Sequence, residues 1–168
     1  MIIAVCVLLL AGAFIVAVGW WLRWRSGVPF GDVAYSDTDA PAQPLISRRF
    51  GLAGKPDYIV RRNGVSIPVE VKPGRTADAP YDSDVMQLVA YMLMIEEAEK
   101  APPPYGILHY RSASFRIVYS PALRQRLLDI LQDMRSAADE ADVGRSHESV
   151  GRCAACGFRG SCGESLAS

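Results

Sequence analysis

The sequence predicts an α/β fold in which a mixed β-sheet is flanked by helices. Three observations support this prediction. Short segments with a period of two alternate with longer segments of helical period. Asn63-Gly64 is a strong hairpin signal between two of the short segments. The elements follow one another as strands, helix, strands, helix, which is the order of an α/β domain with a mixed sheet.

Composition limits the class of protein. The chain has 168 residues, of which 18 are basic and 18 acidic, and half are apolar. The balanced charge excludes a protein that is polybasic throughout, although it allows a local basic patch. The apolar fraction excludes wholesale disorder. Four cysteines are too few for a disulfide-rich secreted scaffold.

The N-terminus predicts a membrane anchor over residues 1–25. Ile2 to Leu22 contains no charged side chain, and about 20 such residues cross a bilayer. Arg23 and Arg25 follow the apolar run and no basic residue precedes it, so we expect a single-pass protein of the cell membrane with its soluble part on the cytoplasmic side. A cleaved signal peptide fits less well, because a basic n-region is missing.

Three further segments follow the anchor. Residues 26–44 are rich in Gly, Pro, Asp, Ser and Ala and show no period, which predicts a linker. Residues 45–142 form the predicted core, and residues 143–168 form a cysteine-containing tail that we expect to be irregular.

The core is predicted to contain five strands and two helices. The predicted strands are Arg48–Gly54, Pro56–Arg62, Val65–Lys72, Tyr105–Arg111 and Ser114–Tyr119. The strand at Val65–Lys72 alternates apolar and polar residues, as a half-buried strand does. Ser83–Lys100 carries an apolar stripe at helical spacing, with Asp82 or Ser83 as its cap. A second helix opens at Ser120-Pro121, because Pro suits a first turn.

Charged residues gather at the ends of the central hairpin. Asp57 lies six residues before Asn63, and Glu70 lies six residues after Gly64, so pairing through the turn places the two carboxylates opposite or nearly so. Such carboxylates repel each other unless a cation lies between them, and oxygen ligands of this kind suit Mg²⁺ or Mn²⁺. Lys72 lies on the same strand face as Glu70, where it would position or deprotonate a water or stabilise a developing negative charge.

Two polar residues of the following helix belong to the same candidate site. Gln87 and Tyr91 are four residues apart and therefore share a helix face. That face adjoins the apolar stripe, so we expect both side chains to point toward the strand ends. There they would hold a substrate phosphate or orient Lys72.

These residues carry a resemblance to a known family. Gly54-Lys55-Pro56-Asp57, Glu70-Val71-Lys72 and Gln87-Leu88-Val89-Ala90-Tyr91 resemble motifs II and III and the QxxxY motif of the PD-(D/E)XK nuclease superfamily. The branch they resemble is RecB-like, and within it the CRISPR-associated exonucleases of the Cas-four type.

The resemblance implies a restriction-endonuclease-like fold and a set of site residues. It implies that Asp57, Glu70 and the Val71 carbonyl bind the metal, that Lys72 is catalytic, and that Gln87 and Tyr91 support the site. The family usually has a further Glu or His on a helix before the first strand. Residues 26–44 show no such helix, and Asp37 or Asp39 would have to stand in for that ligand.

The tail predicts a second metal site. Cys153, Cys156 and Cys162 form a C-x2-C-x5-C pattern, and in a reducing compartment metal binding is favoured over disulfides. Cys6 lies within the predicted anchor, which makes His147 the better fourth ligand. A Cys3His set suits zinc, and His also replaces Cys in some iron–sulfur centres. The resemblance implies a [4Fe–4S] cluster, with Zn²⁺ as the alternative.

The sequence therefore predicts a membrane-anchored deoxyribonuclease of the PD-(D/E)XK type. We expect it to be an Mg²⁺- or Mn²⁺-dependent exonuclease that hydrolyses DNA, including single-stranded ends. One alternative is a catalytically weak or inactive nuclease-fold module that binds DNA as a scaffold and keeps a structural iron–sulfur or zinc site. Another is a redox or metal sensor. The complete set of site residues argues against both alternatives.

Overall fold

The structure is a computed structural model that describes residues 2–25, 32–36, 44–140 and 143–167. It divides into two compact units, Met1–Leu128 and Asp129–Ser168, and each unit is described by itself. Asp37 and Asp39, which were considered above as metal ligands, lie outside the described residues.

The helices and strands of the described residues have the following bounds. The strands are β1 (Asp32–Ser36), β2 (Leu45–Ser47), β3 (Leu52–Gly54), β4 (Tyr58–Arg62), β5 (Val65–Lys72), β6 (Tyr105–Tyr110) and β7 (Ser114–Val118). The α-helices are α1 (Ile2–Arg25), α2 (Asp82–Glu99), α3 (Pro121–Asp139) and α4 (Val150–Ala154), and a 3₁₀ turn covers Arg159–Ser161.

A five-stranded mixed sheet has the order β1-β4-β5-β6-β7. Neighbouring strands are antiparallel except for β5 and β6, which run parallel. A parallel pair needs a crossover connection, and α2 forms part of that connection. The predicted mixed α/β class is thus confirmed, and the remaining strands, β2 and β3, pair separately as a hairpin.

The central hairpin forms where the sequence predicted it. Asn63 and Gly64 have φ values of 51° and 77°, in the left-handed region that Asn and Gly tolerate best. Strand β5 has the predicted bounds, but it is not half-buried: Ser66, Val69 and Glu70 are all buried. The polar residues Ser66 and Glu70 are buried because their face of the strand lies under α2, where Ser66 donates to Glu99 and Glu70 accepts from Gln87.

Helix α2 packs closely on one face of the sheet. Its residue Leu88 is fully buried and lies against Gly106 of β6, where an added Cβ would come within 2.8 Å of the Leu88 side chain. The helix begins one residue earlier than predicted, and its N-cap is Tyr81 without a side-chain hydrogen bond. The predicted capping by Asp82 or Ser83 is therefore wrong.

Three other parts of the chain differ from the prediction. Arg48–Gly54 is not one strand, because residues 48–51 turn between β2 and β3, with Gly51 at a φ of 62°. Asp32–Ser36 was assigned to a segment without strand periodicity, yet it pairs with β4 at the sheet edge. The tail contains α4 and a 3₁₀ turn rather than irregular chain alone.

The N-terminal segment is helical, as predicted. Helix α1 has 24 residues. In the ranges that the structure describes, no helix meets the length and hydropathy that a membrane span requires. The predicted transmembrane anchor is therefore not confirmed.

The close contact at Gly106 generates a stability prediction. We expect Gly106→Ala to lower the free energy of unfolding by about 1–3 kcal/mol, because an added methyl would overpack the contact with Leu88. Urea denaturation of the full chain would measure the change. Gly74→Ala is the control, since nothing lies within 4 Å of its Cβ position. Equal effects of the two substitutions would contradict this account of the packing.

Candidate functional site

The register of the central hairpin brings two acidic residues together. Tyr58 pairs with Val69 across β4 and β5, so Asp57, one residue before Tyr58, lies beside Glu70, one residue after Val69. The Val71 backbone N–H donates to Asp57 Oδ2 at 2.7 Å. The carboxylate of Asp57 is thereby held at the end of β5, as the residue spacing predicted.

The Glu70 carboxylate is buried and only partly hydrogen-bonded. Its Oε1 accepts from Lys72 Nζ at 2.7 Å and from Gln87 Nε2 at 2.9 Å. Its Oε2 is buried and has no hydrogen-bond partner among the described residues. A buried carboxylate oxygen without a partner is costly, which makes this atom the strongest sign of a ligand in the site.

Gln87 connects the two charged groups of β5 to α2. Its Oε1 accepts from Lys72 Nζ at 3.0 Å, and its Nε2 donates to Tyr91 Oη at 2.7 Å as well as to Glu70. The Tyr91 hydroxyl in turn donates to the Lys55 carbonyl at 3.3 Å. The structure therefore brings all five predicted side chains, Asp57, Glu70, Lys72, Gln87 and Tyr91, to one edge of the sheet.

Burial and neighbouring charge shift the pKa values of three groups. Burial raises the pKa of the Glu70 carboxyl, and the nearby charge of Asp57 adds to the rise against the opposing bond from Lys72. Burial alone would lower the pKa of Lys72, but the hydrogen bond and charge of Glu70 outweigh it and the pKa is raised. Burial also raises the pKa of Tyr91, so its hydroxyl stays protonated at neutral pH.

Sequence reasoning missed one acidic residue near the site. Asp84, in the first turn of α2, is buried and accepts from the Tyr110 hydroxyl at 2.6 Å. Its charge contributes to the raised pKa of Lys72. The signal was its position three residues before Gln87, on the same helix face.

The donor atoms of the site fit a divalent cation of the Mg²⁺ type. Asp57 and Glu70 provide carboxylate oxygens, and the unpartnered Oε2 of Glu70 is the kind of hard oxygen ligand that Mg²⁺ prefers. Two carboxylates are fewer than a complete protein ligand set. Accordingly, the described ranges contain no group of three or more His, Cys, Asp or Glu side chains arranged around a common metal position.

The tail brings its predicted ligands to one cavity. Cys153, Cys156, Cys162 and His147 all line a cavity of about 210 Å³ in the second unit. All three thiols are free, with Cys153 buried and the other two exposed. His147 Nδ1 accepts from the Ser149 N–H at 3.2 Å. The side chains share a cavity but are not arranged as a metal site, so the predicted cluster is not confirmed.

The sequence of this chain is similar to that of known nucleases. A family model described as the PD-(D/E)XK nuclease superfamily matches residues 17–163. The search of curated proteins found no match. A solved structure titled "Crystal structure of SSO0001" is 25% identical with a TM-score of 0.46, over 68% of this chain and 52% of that one. This chain thus spans about half the length of that structure.

Proposed function

The chain belongs to the PD-(D/E)XK nuclease superfamily, and on that premise we propose that it is a metal-dependent nuclease that hydrolyses phosphodiester bonds in DNA. The observation that carries the proposal is the buried Glu70 carboxylate, which lies beside Asp57, is bonded to Lys72, and keeps one oxygen without a partner among the described residues. We further propose that it acts as an exonuclease on DNA ends. We also propose that it belongs to the RecB-like branch, near the exonucleases of the Cas-four type.

The metal ligands in this proposal are Asp57, Glu70 and the Val71 carbonyl. A bound Mg²⁺ or Mn²⁺ would act as a Lewis acid toward the phosphate and lower the pKa of the attacking water. The chain's contribution is to hold the ligands in place. The Val71 N–H fixes one carboxylate, and Gln87 with Lys72 fixes the other.

We propose that Lys72 acts as a positive charge. Its ammonium donates to Glu70 at 2.7 Å and to Gln87 at 3.0 Å, and these bonds fix its place beside the carboxylates. A fixed ammonium at this position stabilises the negative charge that develops on the phosphate. Gln87 accepts from the ammonium and thereby directs it, while Tyr91 holds Gln87 in turn.

The catalytic prediction concerns the two carboxylates and the lysine. Asp57→Ala, Glu70→Gln and Lys72→Ala should each lower DNA cleavage by at least about 100-fold, the scale of losing one preorganised electrostatic contact. Gln87→Ala should cost less, because it acts through the position of Glu70 and Lys72. A fluorescent DNA cleavage assay with Mn²⁺ or Mg²⁺ measures the rates.

The matched control for Glu70→Gln is Glu140→Gln, the same change at an exposed residue. Binding of DNA should stay intact or become slightly tighter in Glu70→Gln, since a negative charge near the phosphates is lost. If the wild-type chain binds Mn²⁺ and DNA but cuts no faster than Glu70→Gln, it is a DNA-binding scaffold rather than an enzyme.

We also propose that the tail binds a structural metal. Three thiols and an imidazole line one cavity, and thiolates with imidazole suit either a [4Fe–4S] cluster or Zn²⁺. A metal there would hold the short elements of the tail together, as metals do in small domains with little core.

The tail predicts bound metal in the purified protein. Anaerobically purified protein should be brown with broad absorbance near ~400 nm if thiolates hold an iron–sulfur cluster. Cys156→Ser should bleach it, and His147→Ala should reduce the metal content. Colourless protein with one zinc per chain would favour the Cys3His zinc site. Metal content unchanged in His147→Ala would remove this residue from the ligands.

We also propose that the N-terminal segment attaches the protein to the cell membrane. The support is the uncharged run from Ile2 to Leu22, together with the exposure of apolar side chains along α1 such as Leu8, Phe14 and Trp20. An apolar surface of this extent needs a cover. We propose that the bilayer supplies it, with the nuclease unit on the cytoplasmic side.

Cell fractionation and protease protection test the attachment. The full chain, expressed in bacteria, should remain with the membrane after a high-pH wash, and protease added to spheroplasts should leave the core intact. Variants with Arg23 and Arg25 both changed to Ala should lose orientation preference, because these charges set it. Digestion of the wild-type core from outside would contradict both the orientation and a DNA substrate inside the cell.

A further inference from the structure

Two arginines lie beside the site at the same edge of the sheet. Strands β5 and β6 are parallel and Lys72 pairs with Tyr110, so the chain leaves both strands at this edge. The Arg75 N–H donates to the Lys72 carbonyl at 3.0 Å, and the Arg111 N–H donates to the Arg75 carbonyl at 3.0 Å. The backbones of Lys72, Arg75 and Arg111 are therefore linked in series.

The structure holds the side chain of each arginine at its inner nitrogen. Arg75 Nε lies 2.9 Å from Asp84 Oδ2, and Arg111 Nε donates to the Pro73 carbonyl at 3.1 Å. The Arg75 guanidinium also lies 4.6 Å over the Tyr81 ring. A guanidinium fixed at Nε presents its two terminal nitrogens as a planar fork, the geometry that binds phosphate oxygens in pairs.

Both side chains remain accessible to a ligand. Arg75 keeps 40% of its side chain exposed although its partner Asp84 is almost fully buried, and Arg111 is exposed. Asp84 also accepts from the Tyr110 hydroxyl. This bond fixes the Asp84 carboxylate, which in turn holds Arg75 in place. Within the described residues, Arg111 makes no ion pair with an acidic side chain, and its charge is therefore available.

We infer that Arg75 and Arg111 form a phosphate-binding track that holds the DNA strand next to the bond that is cut. The inference rests on the proposed nuclease function, and it adds a substrate-binding role for two residues outside the motifs. In the part of the chain that the structure describes, neither arginine makes a hydrogen bond or ion pair with Asp57 or Glu70, so their role is to bind the strand rather than to assist the chemistry. The occupant is a nucleic-acid backbone because the track continues directly from Lys72.

The test measures how DNA binding depends on salt. A fluorescein-labelled single-stranded DNA of about 20 nucleotides is titrated with the full-length chain, with Ca²⁺ in place of Mg²⁺ and salt varied from roughly 50 to 200 mM. Arg111→Ala should weaken binding about tenfold, since it removes a charge-assisted bidentate contact. It should also reduce the magnitude of the salt slope by about 0.7, the value for one phosphate contact on a single strand.

Arg75 requires a milder change because its partner is buried. Arg75→Lys keeps the charge that faces Asp84 but loses the planar fork, so we expect weaker DNA binding with a nearly unchanged salt slope. In the cleavage assay both variants should raise KM with little effect on kcat, as the loss of uniform binding does. If the arginines only stabilised the fold, their substitution would not raise KM while leaving kcat nearly unchanged.

Arg61→Ala is the matched control. Arg61 is an exposed arginine that pairs with Glu99, at the opposite end of α2, and its removal changes the net charge equally. If the salt slopes of Arg111→Ala and Arg61→Ala are equal, the phosphate track is wrong while the nuclease proposal stands. If the wild-type chain neither binds nor cuts DNA, the proposed function itself fails, and the track fails with it.

Discussion

The structure depends on one costly arrangement, the burial of the Glu70 carboxylate between β5 and α2. A buried charge is tolerated only when it is paired and hydrogen-bonded. Lys72 and Gln87 supply bonds to one oxygen, and the other oxygen has no partner in the described part of the chain. An aliphatic residue would pack this position more favourably, so the arrangement makes physical sense as a ligand site rather than as a device for stability.

The topology explains why the polar groups meet at one edge. Because β5 and β6 are parallel, α2 must cross between them, and its first turns lie near the end of β5. Gln87 and Asp84 project from those turns toward Lys72 and Arg75 respectively. The same crossover brings Arg111 next to the end of β5. The apolar contact of Leu88 with Gly106 holds the helix at the distance that these polar bonds require.

Much of this arrangement could be predicted from the sequence, because the strongest signals were local. Asn63-Gly64 fixed the hairpin and hence the register that places Asp57 beside Glu70. The β2–β3 hairpin was missed because its turn, residues 48–51, contains only one typical turn residue, Gly51. Asp84 was missed because an acidic residue in a first helical turn usually faces solvent, and its burial depends on Tyr110, which is distant in sequence.

The four residues Gly54-Lys55-Pro56-Asp57 act together to position the site. Their sequence motif alone does not show this role. An added Cβ at Gly54 would come within 2.7 Å of the Tyr91 ring, so the glycine makes room for that ring. The Lys55 carbonyl accepts from the Tyr91 hydroxyl, and Pro56 is fully buried. Tyr91 then orients Gln87, which orients Glu70 and Lys72. The segment that ends in one acidic residue, Asp57, thus also positions the other, through a chain of contacts that runs across α2.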